Sequence, residues 1–352
     1  AKMKKSFLLF CFFCFFSIFL CKGEEYGLIR VSVADLRGKP AAMNHPVGFW
    51  HDSEQLTQLL YWERVKILSS APHDWLYVEA PRQAMVYNNT WSPYRGYIQR
   101  DQVQLVDEWP NKPNAAVSQT QYTPIYDKSC QHTGCLPSNE IVSVSFGTLL
   151  HVVEEKYGWC AVLLASPQKI GYTLCSALSS IDHLPNDEKA LRATIVQRTN
   201  LLLGWLYFWG GRSSFSQMLY ESGQQLSGLD CSGLTGIAYQ SVGLEIPRDA
   251  SKQALAVNNV TSPNALKEGD LFFYSNSAGH VFHVMMLYST QHPPTLVESS
   301  TNSTRIRSIQ ESFGVPLDQL QYGMVLPSNG NVLTYGSLFP WHPSKWAYGQ
   351  SV

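Results

Sequence analysis

Two stretches, residues 27 to 107 and 116 to 182, consist of short alternating apolar runs broken by turn residues, and no other feature constrains the fold as much. Alternation with period two turns one side of each run to a core and the other to water, which is a strand pattern. Ile29-Val31-Val33, Val65-Ile67 and Trp75-Tyr77 mark the first stretch; Ile141-Val142, Leu149 to Val153 and Trp159 to Val162 mark the second. Both keep one order: a strand, a polar turn, a Trp-led strand, then a Gly-Tyr strand (Trp75 with Gly96-Tyr97, Trp159 with Gly171-Tyr172). Many short strands with such turns predict two small β-barrels built from a duplicated module, with Trp75 and Trp159 in their cores. Glu108 to Asn114, containing Pro110 and Pro113, reads as the linker between them.

The pattern changes after residue 182. Pro185 and Asn186 open a helix, Asn186 as its cap, and Leu191, Ile195, Val196 and Leu202 carry helical spacing to about Leu203. A second helix is predicted from near Cys231, through Leu234, Ile237 and Ala238, to near Gly243. Strands follow at Asp270 to Tyr274, His283 to Ser289 and Thr295 to Ser299. Helices first and antiparallel strands after make this block α+β. Pro327 to Val352, rich in aromatics, Pro and Gly, is expected to be a tail packed on it.

At about 150 residues per domain, 352 residues fit two to three domains. With 45% hydrophobic and 15% charged residues the chain can bury a core, which makes disorder and coiled coil poor readings. The first 23 residues read as an export signal. Lys2, Lys4 and Lys5 precede a nearly unbroken apolar run from Ser6 to Leu20, short for a membrane span, and Gly23 fits the cleavage point. An uncleaved anchor, or lipidation at Cys21, is the alternative. Removing the segment's four lysines from the 26 basic residues leaves 22 against 27 acids, a net charge of −5. A mildly acidic body is a poor partner for nucleic acid or an anionic membrane surface. The body after the signal is expected to be a monomer without a membrane span, in the periplasm or cell envelope.

Five cysteines remain in that body: Cys130, Cys135, Cys160, Cys175 and Cys231. Five is odd, so an oxidising compartment leaves at least one thiol free. Cys130 and Cys135 could close a small loop, and Cys160 and Cys175 could face each other across strands; buried free thiols are equally compatible with the spacing. No Cys or His spacing suits zinc, so no metal or cofactor is implied.

Cys231 lies in Leu-Asp-Cys-Ser-Gly-Leu at the start of the second helix. A thiol there faces unpaired backbone N–H groups and the positive end of the helix dipole, which favours the nucleophilic thiolate. The same N–H groups can receive an oxyanion. His283, opening the run His-Val-Met-Met-Leu-Tyr, is the candidate base, and Glu298 on the next strand can orient its ring. His292 competes with Glu298 for that third place, and His280 is a weaker candidate base expected in a loop. His45, His51, His73 and His151 read as ordinary surface or core histidines. Arg248 reads as a structural ion-pair partner. Three Asn-x-Thr triplets, at Asn88, Asn259 and Asn302, match a glycosylation pattern that often arises by chance.

Five words occur in order: Tyr207-Phe208-Trp209-Gly210-Gly211, Asp230-Cys231-Ser232-Gly233-Leu234, Pro247-Arg248-Asp249-Ala250-Ser251, Gly269-Asp270-Leu271-Phe272-Phe273 and His283-Val284. The series resembles the NlpC-type cysteine peptidases, papain-like enzymes that cut peptidoglycan stem peptides. Val33-Ala34-Asp35-Leu36-Arg37, Leu60-Tyr61-Trp62-Glu63, Val78-Glu79-Ala80-Pro81-Arg82-Gln83 and Tyr94-Arg95-Gly96-Tyr97 look like the first bacterial SH3 domain of the γ-D-glutamyl-diaminopimelate endopeptidase subgroup. The resemblance implies an NlpC-type peptidase domain over residues 185–352 behind SH3-like barrels at 27–107 and 116–182. It implies Cys231 as nucleophile, His283 as base and Tyr207 beside the thiolate to help hold the oxyanion. Asp230 and Ser251 would bind the free amine of a substrate's L-Ala, Ser232 and Trp209 would line the pocket, and Glu63 and Tyr94 would close it.

Three positions depart from the family's pattern. The third catalytic position is usually His, here Glu298; residues 212–229 form a longer insertion than usual; and Trp62 stands where the family's word has Gly. The expected activity is hydrolysis of the γ-D-Glu–diaminopimelate (or Lys) bond. The alternatives are a peptidoglycan-binding protein with a degenerate peptidase domain, and a papain-like acyltransferase.

Overall fold

The computed structural model describes residues 25–41, 52–130, 137–166, 168–182, 187–213, 228–348, 350 and 352. The export segment, Cys135, Asn186, His45, His51 and most of the 212–229 insertion lie outside the described residues.

Residues 25 to 106 form a seven-stranded antiparallel sheet. The expected run Ile29-Val31-Val33 is not one strand. It is divided at Arg30–Ser32 between Glu25–Ile29 and Val33–Arg37, which pair with different neighbours. The longest hairpin joins Trp75–Tyr87 to Thr90–Gln99 through Asn88 (φ 49°) and Asn89 (φ 57°). Positive φ at both turn residues matches the right-handed twist of the strands, and Asn tolerates it. The register slips between Ala80 and Ala84, around Pro81, which has no N–H to give the ladder.

Residues 115 to 180 form a five-stranded and a three-stranded antiparallel sheet. The shared Gly-Tyr mark has a steric reason in both regions. A Cβ on Gly96 would lie 2.7 Å from Leu36 Cγ, and one on Gly171 2.5 Å from Ile125 Cγ2. Cys160 and Cys175 form a disulfide, Cys130 is also disulfide-bonded, and Cys231 is the free thiol among the described residues. Trp75 is buried, as expected. Trp159 is only half-buried, because it faces outward on its strand, edge-on to Tyr126. Leu28, Tyr61 and Trp62 from the first region complete the core of the second around Val117, Ile125 and Val162. Trp62, at φ 68°, holds a left-handed conformation that glycine adopts more readily, and its side chain is buried in that shared core.

The remaining chain carries four α-helices among the described residues, α1 (Glu188–Arg198), α2 (Cys231–Gln240), α3 (Ala250–Ala256) and α4 (Ile309–Phe313). The cap of α1 is Asp187, whose carboxylate accepts from the Lys189 and Ala190 N–H groups, one residue beyond the expected Asn186. A six-stranded antiparallel sheet runs in the order Asn258–Asn259, Val332–Ser337, Leu271–Ser275, Val281–Ser289, Thr295–Ser300, Ser303–Ser308. Both of its faces are covered. Phe273, Val284, Met286 and Val297 pack against Leu234, Ile237 and Ala238 of α2; Phe272, Met285, Leu287 and Leu296 pack against Ile309 and Phe313. Two covered faces explain why these strands read as continuous apolar runs rather than alternating ones. The tail packs Phe339 and Trp341 on Tyr239, and then reaches the first sheet, where Gln350 O accepts from the Trp91 N–H at 2.9 Å. No helix among the described residues is long and apolar enough to cross a membrane.

Candidate active site

Asp230 sits at the N-cap of α2 in extended conformation, and its Oδ1 accepts from the Gly233 N–H at 2.6 Å. This cap starts the helix at Cys231, which places the thiol at the helix mouth, ahead of the first intrahelical bond from Leu234 N–H to Asp230 O. Gly233 is required there, since a Cβ would lie 2.1 Å from Gly211 O.

His283 faces Cys231 from the Val281–Ser289 strand, and Glu298 lies on the adjoining Thr295–Ser300 strand. The His283 Nε2 and Glu298 Oε2 are 3.0 Å apart, and the ring is also hydrogen-bonded to Cys231, which leaves Nδ1 for the sulfur. Burial alone lowers the imidazole's pKa, but the hydrogen bonds and charges of Cys231 and Glu298 outweigh it and raise the pKa to about 9. Burial pushes the Glu298 carboxyl upward, and His283 and Arg305 together overcome this and pull it down to about 2. Arg305 stands directly opposite Glu298 on the Ser303–Ser308 strand and donates Nε (3.1 Å) and Nη2 (3.0 Å) to Glu298 Oε1. Both carboxylate oxygens are therefore occupied, one by the ring and one by a guanidinium. His292 lies exposed in the turn before the Glu298 strand and takes no part.

Two cavities meet at this line of side chains. The first, about 320 Å³, is lined by Cys231, Tyr207, Ser232, Ser251, Tyr94 and Asp249, among others. The second, about 630 Å³, lies on the His283 and Glu298 side. Tyr207, Trp209 and Phe282 line both. Burial and the nearby Asp230 and Cys231 hold the Tyr207 hydroxyl in its protonated form, able to donate.

The model of the NlpC/P60 family matches residues 204–316, a span that contains Cys231, His283 and Glu298. This segment is an NlpC/P60 domain. The chain is 27% identical to the dipeptidyl-peptidase 6 of Lysinibacillus sphaericus, over 74% of this chain and 86% of that protein. It is 26% identical to a γ-D-glutamyl-L-lysine dipeptidyl-peptidase of Bacillus subtilis, over 68% of this chain and 71% of that one. A crystal structure of an NlpC/P60 family protein from Bacillus cereus shares the fold, with a TM-score of 0.65 and 22% identity over 89% of this chain and 98% of that one.

The NlpC/P60 domain and the N-terminal region line the first cavity together: Ser53, Gln55, Leu56 and Tyr94 come from the latter. Two expected roles need correction. Glu63 does not reach the cavity. It is buried in an ion pair with Arg212 (2.8 Å), which also bonds Gln58 O and Gln240, so it joins the first sheet to α2. Asp230 lines the cavity but has no oxygen to spare for an amine. Arg248 grips it through Nη2 to Oδ2 (2.7 Å) and Nη1 to Oδ1 (3.1 Å), and Gly210, Ser232 and Gly233 supply further donors.

Asp249, which the sequence reading passed over, is the carboxylate left for a ligand. It stands at the N-cap of α3, but its side chain makes no capping bond, and among the described residues its carboxylate is hydrogen-bonded only to the Tyr94 hydroxyl, at 3.4 Å from each oxygen. Burial and Asp230 raise its pKa despite Arg248. Its signal is present in the Arg-Asp-x-Ser word, between the ion-pairing Arg248 and the pocket residue Ser251. His280, in the loop before its strand, also lines the first cavity.

Proposed function

We propose that this chain is an exported cysteine endopeptidase that hydrolyses the bond from γ-D-Glu to diaminopimelate or Lys in peptidoglycan stem peptides bearing a free N-terminal L-Ala. The observation that carries the reading is a hydrogen-bonded Cys231–His283–Glu298 line beside a cavity of about 320 Å³ that Cys231 lines together with Tyr94 and Asp249. The name of the Bacillus subtilis relative supports the same substrate class, and that of the Lysinibacillus relative supports a peptidase. We read the two N-terminal β regions, 27–107 and 116–182, as bacterial SH3-like modules, the first of which shapes the pocket. The lysine-led apolar segment before Gly23 and the Cys160–Cys175 disulfide support export to an oxidising compartment such as the periplasm.

The Cys231 sulfur attacks the γ-carbonyl carbon, and its proton resides on His283. The carbonyl oxygen, now negative, faces the Cys231 N–H at the helix mouth and the Tyr207 hydroxyl. His283 gives its proton to the departing nitrogen as the C–N bond breaks, while Glu298 keeps the ring aligned. Water, deprotonated by His283, then cleaves the thioester and releases the γ-carboxyl product. Because Arg248 neutralises Asp230, Asp249 is the carboxylate that meets the L-Ala ammonium. A stem still attached to glycan has an amide in place of the ammonium and would meet the closed wall.

With L-Ala-γ-D-Glu-L-Lys or its diaminopimelate counterpart, the wild-type chain releases the dipeptide, and Cys231→Ala releases none. Turnover that survives this substitution rejects the mechanism, and binding to cell wall without turnover by the wild type favours a non-catalytic binding protein. Transfer of the acyl group to an acceptor other than water would instead indicate an acyltransferase. Asp249→Asn is expected to raise KM about 10- to 100-fold, the worth of a hydrogen bond between charged groups, with a smaller change in kcat. Equal KM in both proteins for the free-amine peptide would remove Asp249 from the amine site.

A further inference from the structure

The second cavity lies on the side where His283 delivers a proton, so under the proposed mechanism it receives the residue that leaves. Its wall is the Ser303–Ser308 strand, whose Arg305 and Arg307, two residues apart, share one face, while Ile306 between them packs into the core. Arg305 is committed: Nε and Nη2 go to Glu298 and Nη2 also to Ser300. Arg307 is held more loosely. Its Nη1 is 3.5 Å from Glu298 Oε1, an oxygen already taken by Arg305, and its Nη2 donates to Glu311 O at 3.2 Å.

Three basic groups, His283, Arg305 and Arg307, stand around the single buried carboxylate of Glu298, and His283 is charged only when it is protonated. Glu311 is the other acid lining the cavity; it is exposed, and its carboxylate serves the capping box of α4, accepting from the Ser308 N–H at 3.2 Å. Ser300, Ser328 and Asn329 add hydrogen-bonding groups around the two guanidiniums.

We propose that the leaving-side cavity selects a carboxylate on the departing residue, bound by Arg307 with Arg305 beside it. Guanidinium matches carboxylate geometry, and a charge-assisted pair in a partly enclosed site discriminates against a neutral amide. The carboxylate has two sources, the α-carboxylate of a C-terminal third residue or the side-chain carboxylate of diaminopimelate. This inference rests on the proposed endopeptidase reading and deepens it.

The test measures kcat/KM for L-Ala-γ-D-Glu-L-Lys, its C-terminal amide and the diaminopimelate tripeptide, with wild type, Arg307→Leu and Arg307→Lys. Ratios between substrates within one protein cancel any effect of Arg307 on Glu298 and His283. The expected result is a preference of about tenfold or more for a carboxylate-bearing substrate in the wild type, lost in Arg307→Leu and partly kept in Arg307→Lys. Loss on amidation assigns the α-carboxylate; a diaminopimelate-over-Lys preference that collapses in Arg307→Leu assigns the side chain. Equal rates on all three substrates, or ratios untouched by Arg307→Leu, overturn the proposal. No cleavage of any peptide by the wild type overturns the endopeptidase reading instead.

Discussion

Glu298→Gln is expected to lower kcat on the tripeptide by about 10²- to 10⁴-fold, the range seen when a base loses its orienting or proton-transfer role. The amide can keep a hydrogen bond to His283 but not its charge. The sign of the pH effect follows from that charge. An anionic Glu298 stabilises the imidazolium, and with it the His283 pKa stands at about 9. Without the anion, burial is opposed only by Cys231, so the pKa falls. A protonated ring is needed for the leaving nitrogen, so the alkaline limb of kcat, near pH 9 in the wild type, moves to lower pH in Glu298→Gln. The substrate amine titrates identically with both proteins, so the difference between profiles isolates the enzyme group. The NMR titration of the His283 ring gives an independent measurement. An unshifted limb together with an unshifted ring titration would separate Glu298 from the chemistry and make it a packing residue.

Arg248→Met is expected to have the largest effect on stability, about 3–5 kcal/mol, the cost of removing one member of a buried ion pair. Arg248 is 4% exposed, chelates Asp230 and donates Nε to Thr57 Oγ1 at 2.6 Å, while its own N–H bonds Ala84 O at 3.0 Å. The substitution leaves the Asp230 carboxylate buried beside Asp249 without its cation. Chemical denaturation of Arg248→Met, Asp230→Asn and the double variant measures the coupling. The double variant should be less destabilised than the sum of the two single ones. Strict additivity would mean that the pair contributes no coupling energy.

Much of the third block could be read in advance because its signals are local. A cap followed by Cys231 and helical spacing fixes α2, and strands long enough for His283 and Glu298 need only lie next to each other. Pairings between distant segments were harder. Glu63 and Asp230 carry the same charge in sequence as any pocket acid, and only the fold shows that Arg212 and Arg248 neutralise them from 149 and 18 residues away. Arg305 could have been suspected, because a buried glutamate needs a cation and a cross-strand neighbour is the nearest place for one. The register that puts Arg305 opposite Glu298 is nevertheless a property of the hairpin and not of either residue alone. Trp62 illustrates the reverse case. A bulky residue at a position suited to glycine looks like a misfit in the chain, and becomes intelligible once a second core is seen to receive its ring.

Part of the first cavity's wall is contributed by a stretch of chain well over a hundred residues from the thiol, Tyr94 against Cys231. The wall around the thiol is thus written partly in a distant stretch of the gene product. Drift in the N-terminal region can retune which peptides are admitted while the reacting atoms stay untouched, so relatives with identical chemistry need not share a diet.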